Sequence, residues 1–350
     1  MSSKNGLNVD EKNIDELFEN CKKNKLSKVV RKAKWISIIR NIIICIFVIT
    51  AISIANLQAM GSKGQKLIDD IQEFNCISAP NTFISQYMRY MGVLNGEVQY
   101  YTYKIVGDKP VYFDQKRVNY SIIPLFSDMG SNITNISIEK AETEQELYDN
   151  PKYNKYGREL MKFYYPYVKY DKYQKDLQLI DNISNNKYIE IALSFDKLYS
   201  IDEVNKLIPK DVTLTWYWVD TSNNKEKEEH KSSSEKYYDN NKEKTYISPN
   251  EIALEDEVYG IKVIDENSVI DEEPENRFIN VIESQKDKKS RFQSEYKRIY
   301  DNLKGEDEKI TKEDLKIQGV VVTGDIKKTK KLKGLPFIKA SSIGVITDKY

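Results

Sequence analysis

The side chains that could do chemistry are few. The chain has one histidine, His230, and three cysteines, Cys21, Cys45 and Cys76. His230 lies among Lys and Glu, which reads as a solvated position. Ser-His-Asp, Cys-His and histidine–zinc arrangements therefore have no footing. No G-x-S-x-G, P-loop or G-x-G-x-x-G pattern is present. Two acidic clusters, Glu255-Asp256-Glu257 and Asp271-Glu272-Glu273, lack the alternating oxygen ligands and central glycine of a calcium loop. Both read as solvated acidic faces. A glycosidase pair would meet in space rather than in sequence, and nothing here selects one. No catalytic residue, metal ligand or cofactor is expected, and the chain does not read as an enzyme.

The residues that set the organisation are apolar. From Asn41 to Ser62 there is no charge, in a chain that is 31% charged. The run starting at Ile42 and extended to Met60 reaches the length of about 20 residues needed to cross a hydrocarbon core. A cleaved signal peptide and a buried core helix are the competing readings. The first is disfavoured by the long segment ahead of the run, the second by the length and purity of the run. Between Cys21 and Arg40 the charges are all basic, whereas Lys63 and Lys66 are answered by Asp69, Asp70 and Glu73. The Lys/Arg excess marks the cytoplasmic side, so the N-terminus is expected inside and residues 61–350 outside. Trp35 and Arg40 are the expected membrane anchors, at headgroup level and by snorkelling.

Composition removes further classes. The formal net charge is zero and the pI about 6.7, so no global field points to nucleic acid. The basic run beside the span reads as a topology signal in contact with anionic lipid. The three cysteines fall inside, within and outside the membrane, so no disulfide is expected.

Ahead of the span, Asn13-Ile-Asp-Glu16 suggests a capping box, and Ile14, Leu17, Phe18 and Cys21 follow at helical spacing. Leu26, Val29, Val30 and Ala33 repeat the stripe. This arm is too small to fold alone, so its stripe needs a partner or the membrane surface. Beyond the span, Lys63–Gln72 reads as a helical stalk. Val98–Val106 and Val111–Phe113, split by Gly107-Asp-Lys-Pro110, read as a hairpin. Glu139–Leu147 reads as a helix. In Phe163–Val168 the tyrosines are expected to cover an apolar core with their hydroxyls to solvent.

The C-terminal half predicts strand Tyr188–Phe195, helix Ile201–Leu207 opened by Ser200, and strand Val212–Val219. Thr221–Thr245 reads as a mobile charged loop. A helix over Glu275–Leu303 buries Phe278, Val281, Ile282, Phe292, Tyr296, Ile299 and Leu303, and its polar centre, Gln285–Arg291, leaves both a continuous and a broken helix open. Strand Ile317–Thr323, a helix at Ile326–Leu332 and strand Ala340–Thr347 follow. Two strand-helix-strand units sharing one sheet give an α+β fold, with a ferredoxin-like sandwich as the expected arrangement. The expected domains are 1–35 (amphipathic arm), 36–60 (span), 61–175 (membrane-proximal) and 176–350 (C-terminal, with the loop at 221–245).

This order of features resembles the membrane-bound sigma factor regulators, anti-sigma factors of Gram-positive bacteria. The resemblance is carried by Lys28–Ile54, Met161–Pro166, Ala192–Val204 leading to Leu214–Trp218, Arg277–Asn280 and Gly319–Gly324. It implies that the cytoplasmic segment sequesters an extracytoplasmic-function sigma factor while the ectodomain answers an envelope signal. Ile14, Leu17 and Phe18 would then be the sigma contacts. The arm lacks the zinc-binding His/Cys set of many anti-sigma factors, which leaves room for a co-encoded membrane partner. A tethered envelope-binding or assembly protein is the alternative, and a membrane-anchored hydrolase a third.

Overall fold

The computed structural model describes residues 11–123, 135–137, 150–239 and 242–350, and it divides into two compact units, Met1–Ala59 and Met60–Tyr350. Helix α1, Glu11–Asn75, contributes to both. It is already helical two residues ahead of the expected cap at Asn13. In the first unit its apolar window has a mean hydropathy of 2.5 and is nowhere buried by protein. A core helix would have a core to enter, and this one has none.

In the second unit, the stretch expected as a stalk is instead a packed layer. Met60, Leu67 and Ile71 of α1 share a core with Val98 and Tyr120. Those residues belong to an antiparallel sheet of β1 (Thr82–Met91), β2 (Asn95–Val106) and β3 (Lys109–Ser121). The β2–β3 hairpin turns at Gly107 with φ +69°, a left-handed conformation that glycine adopts without strain. Short strands follow: β4 (Asn135–Ser137) pairs with β5 (Lys152–Asn154), and β6 is Lys162–Phe163. The helix expected over Glu139–Leu147 lies outside the described residues.

The larger sheet begins with β7 (Lys187–Tyr199), α2 (Ile201–Leu207) and β8 (Thr213–Val219). Ser200 caps α2 in a capping box with Glu203, the signal that opens the helix where expected. The described residues of the segment expected as a mobile loop carry secondary structure. Asn223 and Glu226 form a second capping box on α3 (Asn224–Glu229), and β9 (Ser233–Asp239) pairs with β10 (Lys242–Ser248). Next come β11 (Ala253–Leu254), paired to β6, and β12 (Gly260–Lys262). The long C-terminal helix is broken at its polar centre, into α4 (Pro274–Gln285) and α5 (Gln293–Leu303). Strand β13 (Ile317–Asp325), α6 (Ile326–Thr329) and β14 (Ile338–Asp348) close the fold.

The five-stranded order is β12-β8-β13-β7-β14, every pair antiparallel. β13 therefore lies between the two strands of the first strand-helix-strand unit, and β7 between the two strands of the second. This is the interleaving of two split βαβ units that a ferredoxin-like sandwich requires, with β12 added at one edge. Period-2 alternation sorts the faces. Ile189, Ile191, Leu193 and Phe195 of β7 join Tyr217, Val219, Val320 and Val322 beneath α2, α4, α5 and α6. Ala192, Trp216, Trp218 and Val321 face the other way, under Met161, Phe163, Tyr164 and Tyr165.

Candidate functional site

The helix-free face of the five-stranded sheet carries buried polar groups at alternate positions, and each receives a strand or loop. Ser194 Oγ accepts from Tyr164 N at 2.9 Å, Ser342 Oγ from Lys162 N at 3.1 Å, and Thr323 Oγ1 from Gly107 N at 2.7 Å. The first two bonds satisfy backbone N–H groups at β6, whose own ladder is only two residues long, and the third holds the β2–β3 turn.

At the centre of this face lies an ionic trio. Lys104 of β2, fully buried, donates to Glu190 of β7 at 3.0 Å and also to Glu255, which follows β11. Both carboxylates are buried as well. Glu190 further accepts from Asn81 Nδ2 at 2.8 Å and Val345 N at 3.2 Å, and Phe113 stacks its ring 4.2 Å from the Lys104 ammonium. One ammonium faces two carboxylates. Burial pushes Lys104 down, but its two partners outweigh that and hold the ammonium above its ordinary value. Burial pushes the Glu255 carboxyl up to about 7, with Lys104 opposing and Glu190 adding repulsion. A second cation, Lys262 of β12, is buried against Phe83, with Nζ donating to Thr82 O at 2.5 Å, and burial lowers it to about 7. The trio and Lys262 join the three-stranded sheet to the five-stranded one. The arrangement suits coupling of two layers and offers no nucleophile–base pair.

Two expectations are corrected here. Glu255 is no solvated acidic residue, because its neighbours Ile252, Ala253 and Val258 carry it inward, while Asp256 and Glu257 stay exposed. His230 is half-buried rather than solvated. Its ring stacks on Tyr165 at 4.1 Å, its Nδ1 lies 2.7 Å from Tyr167 Oη, and burial lowers its pKa. The tyrosines do cover a core, but several hydroxyls bond inward: Tyr170 donates to Glu251 O at 2.6 Å, and Tyr164 accepts from Gln174 N at 3.3 Å. Tyr165 and His230, with Trp218, Glu251, Arg298 and Gln318, line a polar cleft of about 300 Å³.

Of the residues singled out in the sequence, Ile14, Leu17 and Phe18 lie in the first turns of α1, with side chains outside the described residues. Trp35 and Arg40 are exposed on α1. No geometry brings these five to one place. The sequence signal for the trio is a charge set inside an apolar strand, as in Tyr103-Lys-Ile105 and Ile189-Glu-Ile191.

An exposed apolar helix long enough to span a bilayer, followed by a sheet-rich region, fits a single-pass membrane protein. Two family models match the chain in order: sigma factor regulator N-terminal over residues 27–111 and sigma factor regulator C-terminal over 180–345. The chain belongs to the sigma factor regulator family, a family of anti-sigma factors, and its role is in sigma-factor regulation. No curated protein and no solved structure matches it.

Proposed function

We propose that the protein holds an extracytoplasmic-function sigma factor at the membrane through its N-terminal arm and releases it on an envelope signal received by residues 61–350. The observation that carries this reading is the position of the apolar helix. It falls within the N-terminal family match, with all-basic charge on one flank and mixed charge on the other. The charge bias argues for a cytoplasmic N-terminus. Trp35 and Arg40 then sit at the inner interface, and Ile14, Leu17 and Phe18 offer the apolar contacts to sigma.

The test is co-purification of the full-length chain with cytoplasmic partners, alongside the triple variant Ile14→Asp, Leu17→Asp, Phe18→Asp. The expected result is a sigma factor bound by the parent, lost in the variant, and a regulon induced in both the variant and the deletion strain. An unchanged regulon on deletion overturns the reading and leaves a tethered envelope-binding or assembly protein.

A further inference from the structure

The tip of the β1–β2 hairpin is apolar and uncovered. Tyr90, Met91, Val93 and Leu94 are exposed, with Val93 at 78%, and Ile123 beyond β3 is exposed beside them. No charge occurs from Tyr90 to Gly96. An exposed contiguous apolar patch marks an interaction surface, and its place in the fold selects the partner. Arg89 Nη1 donates to Gly61 O at 3.0 Å, and Lys63 Nζ donates to Ser121 O at 2.9 Å and Ile122 O at 3.2 Å. Leu94 O accepts from Ser121 Oγ at 2.7 Å and Ile122 N at 3.0 Å, and Tyr120 Oη donates to Tyr90 O at 3.3 Å. A Cβ on Gly64 would lie 2.5 Å from Arg89 Cδ and 2.8 Å from Tyr120 Oη, so the helix backbone and the hairpin touch. The tip is thus tied to Gly61–Gly64, and Gly61 and Ser62 are the last residues of the uncharged run. The opposite end of the same hairpin sheet, at Gly107, bonds to β13 instead.

We infer that this tip enters the headgroup–acyl boundary of the bilayer that holds the chain's own span. Met91, Val93 and Leu94 supply apolar area, Tyr90 suits the interface, and Arg89 and Lys63 lie where anionic headgroups would be. The span then has a second, peripheral membrane contact beside it. The contact depends on the span crossing a bilayer and holds for either orientation of the chain.

The test uses full-length protein in nanodiscs of phosphatidylcholine and phosphatidylglycerol, in a Trp35→Phe background that leaves only the buried Trp216 and Trp218. Val93→Trp reports on the tip, and Leu179→Trp, at an exposed position away from it, is the comparison. With lipid brominated near the headgroup, the Val93→Trp signal should lose about half its intensity while Leu179→Trp loses little, since interfacial insertion reaches about 5–10 Å. Iodide should quench Leu179→Trp and spare Val93→Trp. Iodide quenching of both, without an effect of brominated lipid, overturns the inference. Protection of Val93→Trp from both quenchers also overturns it, because a protein surface would then cover the tip. Neither outcome bears on sigma binding, which the co-purification reads separately.

Discussion

Replacing Lys104 with Met removes the one ammonium from the trio and leaves Glu190 and Glu255 buried without a cation. Methionine is close in volume, so the loss is electrostatic rather than a cavity. Breaking a buried ion pair by deleting one partner costs about 3–5 kcal/mol at neutral pH. Asn81 and the Val345 amide still bond Glu190, and the Met161 amide lies 3.4 Å from Glu255 Oε1, which holds the loss within that range. For a unit of this size the change amounts to a fall in Tm on the order of 10 °C. The loss carries a pH signature. Glu255 stands at about 7 when folded against an ordinary 4.5, so the folded state holds a proton the unfolded state lacks between those values. Its contribution therefore falls as pH rises from 4.5 to 7, by about 3 kcal/mol if the whole shift is realised. In the Met variant acid can neutralise Glu255, so the difference from the parent should be smaller near pH 5 than at pH 8. Thermal unfolding of the full chain in micelles, followed by near-ultraviolet dichroism of Trp216 and Trp218 at pH 5 and 8, reads this. An equal loss at both pH values would refute the ionic account. Adding Glu190→Gln and Glu255→Gln to the variant should recover most of the loss, since a neutral set tolerates burial.

Two further predictions test the same seam. Lys262 is held at about 7 by burial against an ordinary 10.5, so the unfolded state carries the extra proton between those values and stability rises with pH across them, by roughly 2–4 kcal/mol. Lys262→Met should abolish that rise and stabilise the protein below pH 7, because Asn75 Nδ2 still donates to Thr82 O at 3.1 Å; a variant whose unfolding keeps the parent's slope from pH 7 to 10 would count against it. Gly107→Ala combines a left-handed φ with a Cβ 2.5 Å from the Tyr188 ring and should cost about 1–3 kcal/mol, seen as a lower Tm. An unchanged Tm would mean that the turn relaxes freely.

Much of the fold was legible in the residues because local signals and packing agree there. The Ser200 capping box, the alternation of Tyr188–Phe195 and the apolar stripe of α4 and α5 each named an element correctly, and the helix breaks at its polar centre before Gln293. The errors came where composition was allowed to outweigh pattern. Thr221–Thr245 is charged, yet Asn223 and Glu226 sit at capping-box spacing, and the α3 turn places His230 against the Tyr165 ring. Glu255 sits in the turn that directly follows β11, between the buried apolar residues Ala253 and Val258, and this sets it apart from its exposed neighbours. Lys104 and Glu190 become partners only through a contact between two sheets, which no spacing along the chain encodes. The proposed sigma contacts, Ile14, Leu17 and Phe18, rest on the periodicity of the arm.

The trio also bears on how the protein can be divided. Lys104 lies within the stretch matched as the N-terminal family domain, Glu190 and Glu255 within the C-terminal one. Phe74 of α1 likewise stacks on Phe292 at 4.0 Å, and Asp70 accepts from Arg291 N at 3.1 Å. A fragment beginning near residue 180 would thus inherit two buried acids and lose their base, along with the tyrosine-rich layer that covers Trp216 and Trp218. The boundaries by which the chain is recognised are boundaries of inheritance. The boundaries of cooperative folding run elsewhere, and a piece that keeps the trio together with the α1 contacts begins near Met60.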